Sequence, residues 1–274
     1  MPRRIDLHTH STFSDGTSTP AEVVRKAHKL GVEVLLLTDH DTVSGCFEGA
    51  EEARKLGLRF AGGVEINTRE DDMVHILGYG VDPESPSLIS ALAEFRSRRQ
   101  GRVRVIVDRL KASGVDIEFE DVAGESLEAL GRPHVADALI RKKIVRTRAE
   151  AFKKYLAKGA EAYVDPMGPT AEEAIRLISD SGGWAVLAHP FTTSVESNIE
   201  RWVAAGLAGI EAYYMSHTQP QMQRLIQVAN RYNLLMTGGS DYHGPKTGRE
   251  KAGGVEVPDE VFEAIADRLG LPEA

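Results

Sequence analysis

What the 274 residues lack narrows the reading first. There is one cysteine, Cys46, so neither a disulfide framework nor a thiolate zinc cluster can be built. No apolar run approaches the ~20 residues that a membrane helix requires. The opening Met1-Pro2-Arg3-Arg4-Ile5-Asp6 carries two basic residues without the apolar stretch of a signal peptide. No internal repeat or low-complexity tract is present. Nor is there a surplus of positive charge: 33 Lys and Arg stand against 41 Asp and Glu, a formal net of −8. That balance argues against a passive coat for nucleic acid, yet leaves room for an anionic substrate held by local charge or by metal. The expectation is a soluble, reduced, cytoplasmic protein. With 42% hydrophobic and 27% charged residues, a chain of this length buries about three-quarters of its unfolded surface and needs no staple.

Short apolar runs alternate with longer amphipathic stretches, the pattern of βα units around a parallel sheet. The runs predict strands at Arg4–His8, Val34–Thr38, Phe60–Ile66, Val74–Tyr79, Trp184–Ala188, Gly209–Tyr213 and Leu234–Thr237. Helices are expected at Pro20–Leu30, Ser44–Leu56, Thr170–Ser181 and Pro220–Tyr232, with Thr19-Pro20 and Pro169-Thr170 as helix starts. Residues 87–160 break the rhythm, showing helical periodicity and no convincing strand. They carry 16 Lys and Arg against 10 Asp and Glu, a net of +6, which leaves −14 for the remainder. This reads as a helical subdomain, 87–160, inserted into a host made of 1–86 and 161–274. Most of its basic residues are expected to be solvated helix faces, but the asymmetry suggests a cap that attracts anions.

The nine histidines matter for where they fall. One H-x-H pair is weak, since chance supplies about 0.3 such pairs in a chain of this composition. Yet His8 and His10 close the first predicted strand, His40 the second and His189 the fifth; Glu65 sits at the end of the third, and Asp241 and His243 follow the last. His75 opens or lies within the fourth. In a parallel barrel the carboxyl ends of the strands gather on one face, so these side chains would converge on one pocket. A lone histidine is usually an ordinary core or surface residue, but a convergent set with carboxylates suits divalent Mn, Fe or Zn.

The strings Asp6-Leu7-His8-Thr9-His10-Ser11, Ser14-Asp15-Gly16, Thr38-Asp39-His40-Asp41-Thr42, Gly63-Val64-Glu65 and Gly239-Ser240-Asp241-Tyr242-His243-Gly244 together resemble the PHP (polymerase and histidinol phosphatase) family of metal-dependent phosphoesterases. The resemblance runs from residue 5 to about 250. It implies an α/β fold, a distorted (β/α)7 barrel, here with the inserted helical subdomain. It also implies two to three divalent ions, Mn2+ foremost, with Fe2+, Zn2+ or Mg2+ as alternatives. Carried over by motif, His8, His10, Glu65 and Asp241 would hold one ion, Asp15, His40 and His243 a second, and Glu65, His75 and His189 a third. Asp15 departs from the histidine common at its position, which bears on the second site. Gly131-Arg132-Pro133-His134 and Lys158–Val164 look like the branch that acts on 3′,5′-bisphosphorylated nucleotides, AMP and short 5′-phosphorylated RNA, by attack of a metal-activated hydroxide.

Outside the cluster, Arg132 and His134 are expected to bind substrate: Arg offers planar paired donors to phosphate, and His134 begins a helix whose amino end favours an anion. His217, after the sixth strand, is a candidate phosphate contact or proton donor. Lys246 and Arg249 are candidate phosphate contacts, Asp39 a support for the ligands, Asp41 a helix cap and Cys46 a small buried side chain. The competing readings are a histidinol-phosphate-type phosphatase, amidohydrolase chemistry (disfavoured by the want of a ligand lysine) and a metal-holding scaffold without activity. Oligomeric state is left open.

Overall fold

The structure, a computed structural model, describes residues 3–70, 73–123, 129–190 and 195–271. Seven strands form where the apolar runs place them: β1 (Arg3–Asp6), β2 (Val34–Leu37), β3 (Arg59–Asn67), β4 (His75–Tyr79), β5 (Trp184–Leu187), β6 (Gly209–Tyr214) and β7 (Leu235–Gly239). An eighth, β8 (Val255–Val257), pairs antiparallel with β1. Its three residues are too short to show any period. The sheet order is β7-β6-β5-β4-β3-β2-β1-β8. Leu7 N donates to Gly238 O and Asp241 N to His8 O, which draws the β1 and β7 ends together and nearly closes a barrel. β2, Val-Leu-Leu-Leu, is buried at every position, as expected of a strand covered on both faces.

One expectation fails in an informative way. The sheet is not parallel throughout, because β4 runs antiparallel to both β3 and β5. Its first residue, His75, pairs with Asn67 at the far end of β3. Reversal therefore brings the amino end of β4 to the rim where the other strands finish.

Helices α1 (Pro20–Lys29) and α2 (Gly45–Leu56) cover the early strands, and α7 (Ala171–Asp180), α8 (Val195–Ala204), α9 (Gln219–Tyr232) and α10 (Asp259–Arg268) the later ones. Thr19 and Thr170 cap α1 and α7, each paired with a glutamate three residues on, the reciprocal arrangement that satisfies two orphan backbone donors. Between β4 and β5 lie α3 (Pro86–Ala112), α4 (Phe119–Ala123), α5 (Arg132–Arg141) and α6 (Arg148–Ala151), which continues into a π-helical turn at Phe152–Leu156. α3 serves two cores. Leu88, Leu92 and Phe95 join the barrel cluster, whereas Val103, Ile106 and Leu110 pack with Val135, Leu139 and Leu156 of the insertion. Among the described residues, no helix is long and apolar enough to cross a membrane.

Candidate metal centre

At the barrel rim, β1 runs on through Leu7-His8-Thr9-His10 and the loop that carries Asp15; Glu65 lies in β3 and His75 opens β4, while the turns after β2, β5 and β7 supply His40, His189, Asp241 and His243. His8 Nε2 lies 3.2 Å from Glu65 Oε2 and 3.4 Å from Asp241 Oδ1; His10 Nε2 lies 3.1 and 3.3 Å from the same two atoms. Glu65 Oε1 meets His75 Nδ1 at 2.8 Å and His189 Nε2 at 3.2 Å. Asp15 Oδ1 is 3.2 Å from His243 Nε2 and 3.8 Å from His40 Nε2. Three groups have donor atoms within 4.8 Å of one another: His8, His10, Glu65 and Asp241; His10, Asp15, His40 and His243; and His40, Glu65 and His75. Relative to the sets implied by resemblance, the second gains His10. The third gains His40, while His189 reaches it through Glu65.

The local backbone is bent to make this possible. His189 (φ 29°) and Asp241 (φ 54°) occupy the left-handed region, which side chains other than glycine rarely adopt and which clusters at functional sites. Gly239 is required for a different reason: a Cβ there would lie 2.5 Å from His8 Cβ, so only glycine lets β7 approach His8 this closely.

All nine of these side chains are buried or nearly so. Burial opposes ionisation of Glu65, yet the surrounding histidines hold its carboxyl well below the usual range. Asp15 behaves alike, its burial overcome by His243 and His40, and so does Asp241, through Arg249 and His8. In return the carboxylates, against the burial penalty, raise His8 well above the ordinary imidazole value and His10 to about 9. The cluster thus demands positive charge. Its donor atoms are also unspent: His10 Nδ1 and Nε2, Asp15 Oδ1 and Asp241 Oδ1 are buried and make no hydrogen bond, a condition native proteins avoid unless a ligand resolves it. Convergent imidazole and carboxylate donors of this kind fit divalent cations.

A further layer fixes the donors. Glu211 accepts from His8 Nδ1 at 3.1 Å and from the His189 backbone N–H at 2.8 Å. Asp241 Oδ2 accepts from Tyr214 OH at 2.9 Å and pairs with Arg249 Nη1 at 2.7 Å. Such partners set ring orientation and donor basicity. The sequence reading missed Glu211 and Tyr214; the available signal was a carboxylate inside the apolar run Gly209–Tyr214. Asp39 accepts from Ser11 N, Ser11 Oγ and Ser14 Oγ, holding the loop that carries Asp15. Asp41 does not cap α2, whose first turn has no side-chain cap; it pairs with Arg99. Cys46 is buried, and burial pushes its thiol up to about 12, so it is no nucleophile.

The cluster opens through Asp15, His40, His75 and His243 into a cavity of about 1380 Å3 between barrel and insertion. Eight Lys and Arg residues line it, among them Arg132, Arg148 and Arg249, against three acids. Arg132 thus stands at the cavity, its guanidinium 5.4 Å over the Phe152 ring. Two expected substrate contacts are placed elsewhere. His134 Nδ1 accepts from Gly131 N, and Nε2–H donates to Ser14 O, so both ring nitrogens are committed to backbone. His217 donates from Nδ1 to Ala212 O and stacks edge-on with Tyr214; neither histidine lines the cavity.

Residues 6–163 match the model of the PHP domain. The 3′,5′-nucleoside bisphosphate phosphatase of Chromobacterium violaceum is 36% identical over 260 residues, covering 92% of this chain and 91% of that protein. A 5′-3′ exoribonuclease of Haemophilus influenzae is 32% identical over 271 residues, 96% and 98% of the two chains. A solved structure from Bifidobacterium adolescentis, described as a metal-dependent phosphoesterase, superposes with a TM-score of 0.87 at 31% identity, covering 98% of both chains. Fold and site together define a metal-dependent hydrolase of phosphoester bonds. The chain belongs to the PHP-domain family.

Proposed function

We propose that the protein removes phosphate from nucleotides, the 3′-phosphate of a 3′,5′-bisphosphate foremost, with AMP as a further substrate. One observation carries this reading: a buried set of eight convergent His, Asp and Glu donors, with His189 beside it on Glu65, opens directly into an arginine-lined cavity. Similarity to the Chromobacterium violaceum phosphatase supports the nucleotide assignment. In this reading residues 87–160 form the cap over a barrel made of 1–86 and 161–274. His8, His10, Asp15, His40, Glu65, His75, His189, Asp241 and His243 hold two to three divalent ions, Mn2+ in our assignment. When bound, such ions polarise phosphoryl oxygens and lower the pKa of a water toward neutrality. Glu211, Tyr214 and Arg249 orient the donors. Arg132 holds the dianion through its paired donors, while Arg148, whose Nε and Nη2 are taken by Asp137 at 2.7 and 2.6 Å, adds positive charge to the cavity. Attack proceeds in line with the ribose oxygen that leaves. We place the reaction in the cytoplasm.

A second reading, 5′→3′ trimming of short 5′-phosphorylated RNA, is favoured by cavity size, since about 1380 Å3 exceeds the roughly 300–1,000 Å3 typical of small-molecule pockets. The test is phosphate release with Mn2+ from adenosine 3′,5′-bisphosphate, AMP, histidinol phosphate and a 5′-phosphorylated oligonucleotide. Turnover of the bisphosphate is expected, with chelator abolishing it. Turnover of histidinol phosphate alone would overturn the nucleotide assignment, and mononucleotide release from the oligomer would favour the second reading.

A further inference from the structure

The two four-membered donor groups are held by different parts of the chain. His8 and Asp241 of the first are fixed by Glu211, Tyr214 and Arg249, all from the barrel strands or the loop after β7. In the second, Asp15 and His40 are both tied to the insertion. The Asp15 loop is pinned where His134 of α5 donates to Ser14 O at 3.1 Å. His40 is reached by a longer chain of contacts, which begins on α3.

Arg99 Nη1 donates to Asp41 Oδ2 at 2.8 Å, with Asp41 only 1% exposed. Arg99 Nε also donates to Leu130 O, next to α5, and Arg96 Nη1 donates to Asp41 O at 2.7 Å. The remaining polar atoms of Asp41 are equally occupied. Its N–H donates to Glu65 O, Oδ1 accepts from Asn67 N, and Oδ2 accepts from Asn67 Nδ2 at 3.2 Å. That same amide nitrogen lies 3.0 Å from His40 Nδ1 and donates to it. Asp41 is held at φ 51°, a strained setting that persists only when its surroundings over-determine it. Gly131 completes the fit, because a Cβ there would come within 2.5 Å of Arg99 Nη2.

We propose that Asp41 and Arg99 are positioning residues which, through Asn67, hold His40 for the second cation, so that seating of α3 on the barrel completes that site and leaves the first unchanged. This rests on the metal-dependent phosphoesterase reading above. A buried polar chain with every member satisfied is rigid, and removing one member leaves the others unpaired. The insertion would thereby govern how many cations the barrel holds, not only which substrate enters.

The test is Mn2+ titration of the whole, chelator-stripped protein by calorimetry, with metal content measured in parallel. The wild type is expected to bind at least two ions in two affinity classes. Asp41→Asn and Arg99→Met should weaken one class by about 10- to 100-fold, the usual cost of losing an outer partner of a metal ligand, and leave the tighter class unchanged. Arg99→Lys retains the charge but not the paired donors to Asp41 and Leu130, and should fall between. Leu139→Ala, which opens the insertion core without touching this chain of contacts, should lower thermal stability and preserve both classes. Equal weakening of both classes, or of neither, overturns the positioning role while the phosphoesterase reading stands. Unchanged Mn2+ affinity with a raised KM would make Arg99 a substrate contact instead, overturning the proposal. A wild type that binds no Mn2+ would overturn the metal reading itself.

Discussion

Glu65 shows most clearly how single residues carry this site. It is fully buried, yet His8, His10, His40, His75 and His189 all stand within 3.2 Å of its two oxygens. A carboxylate so placed would be prohibitively costly without positive charge around it. The side chain is therefore an electrostatic hub, and its charge matters more than its shape. Glu65→Gln keeps the volume and removes the charge. Phosphate release should fall at least about 100-fold, with bound Mn2+ reduced in parallel. Metal analysis of the purified variant checks this; normal metal content with normal turnover would remove Glu65 from the centre.

At the scale of elements, the insertion is docked by specific polar ties as well as by its shared helix α3. His134, at the start of α5, is one tie, 120 residues from its partner Ser14. Burial lowers its pKa below the usual 6.5, against the pull of Asp15. In the unfolded chain the ring takes a proton near pH 6.5, whereas in the folded protein it does so only at lower pH. Stability from this group is thus present above about pH 6.5 and lost as pH falls toward the folded value. Urea denaturation at about pH 7.5 and about pH 5.5 should show a larger acid loss for wild type than for His134→Gln, whose amide keeps a donor and an acceptor but does not titrate. Equal losses would show that His134 does not sense pH.

For the molecule as a whole, the governing feature is segregation of charge. In a chain of net −8, residues 87–160 carry a net of +6, and eight Lys and Arg residues converge in the cavity into which the donor cluster opens. Fields of this kind focus anions and are screened over roughly 8–10 Å at physiological salt. Raising NaCl from about 50 to about 300 mM should raise KM for adenosine 3′,5′-bisphosphate several-fold and leave kcat little changed. The rise should be larger than for AMP, which carries one phosphate fewer. Steady-state kinetics across the salt series decides this, and a flat KM would exclude electrostatic capture by the cavity.

Much of this architecture is local in origin and therefore readable along the chain. Apolar runs mark most of the strands, β2 and β5 above all, because a strand covered on both faces is apolar at nearly every position. Thr19 and Thr170 announce helices through hydrogen bonds confined to four residues. His8, His10, His40 and His189 betray themselves because each ends such a run. Contacts between distant segments are another matter. Nothing local gives β4 its reversed direction, and that direction alone explains how His75 reaches the rim from the start of a strand. Glu211, Tyr214 and Asn67 act through partners 22 to 203 residues away, and isolated polar residues leave no periodic trace. Folding in three dimensions also moved His134 and His217 off the cavity and placed Asp41 against Arg99 instead of at the start of α2. The two histidines satisfy backbone groups left needing a partner once the barrel has closed, and Asp41 answers a buried guanidinium from a helix 58 residues away.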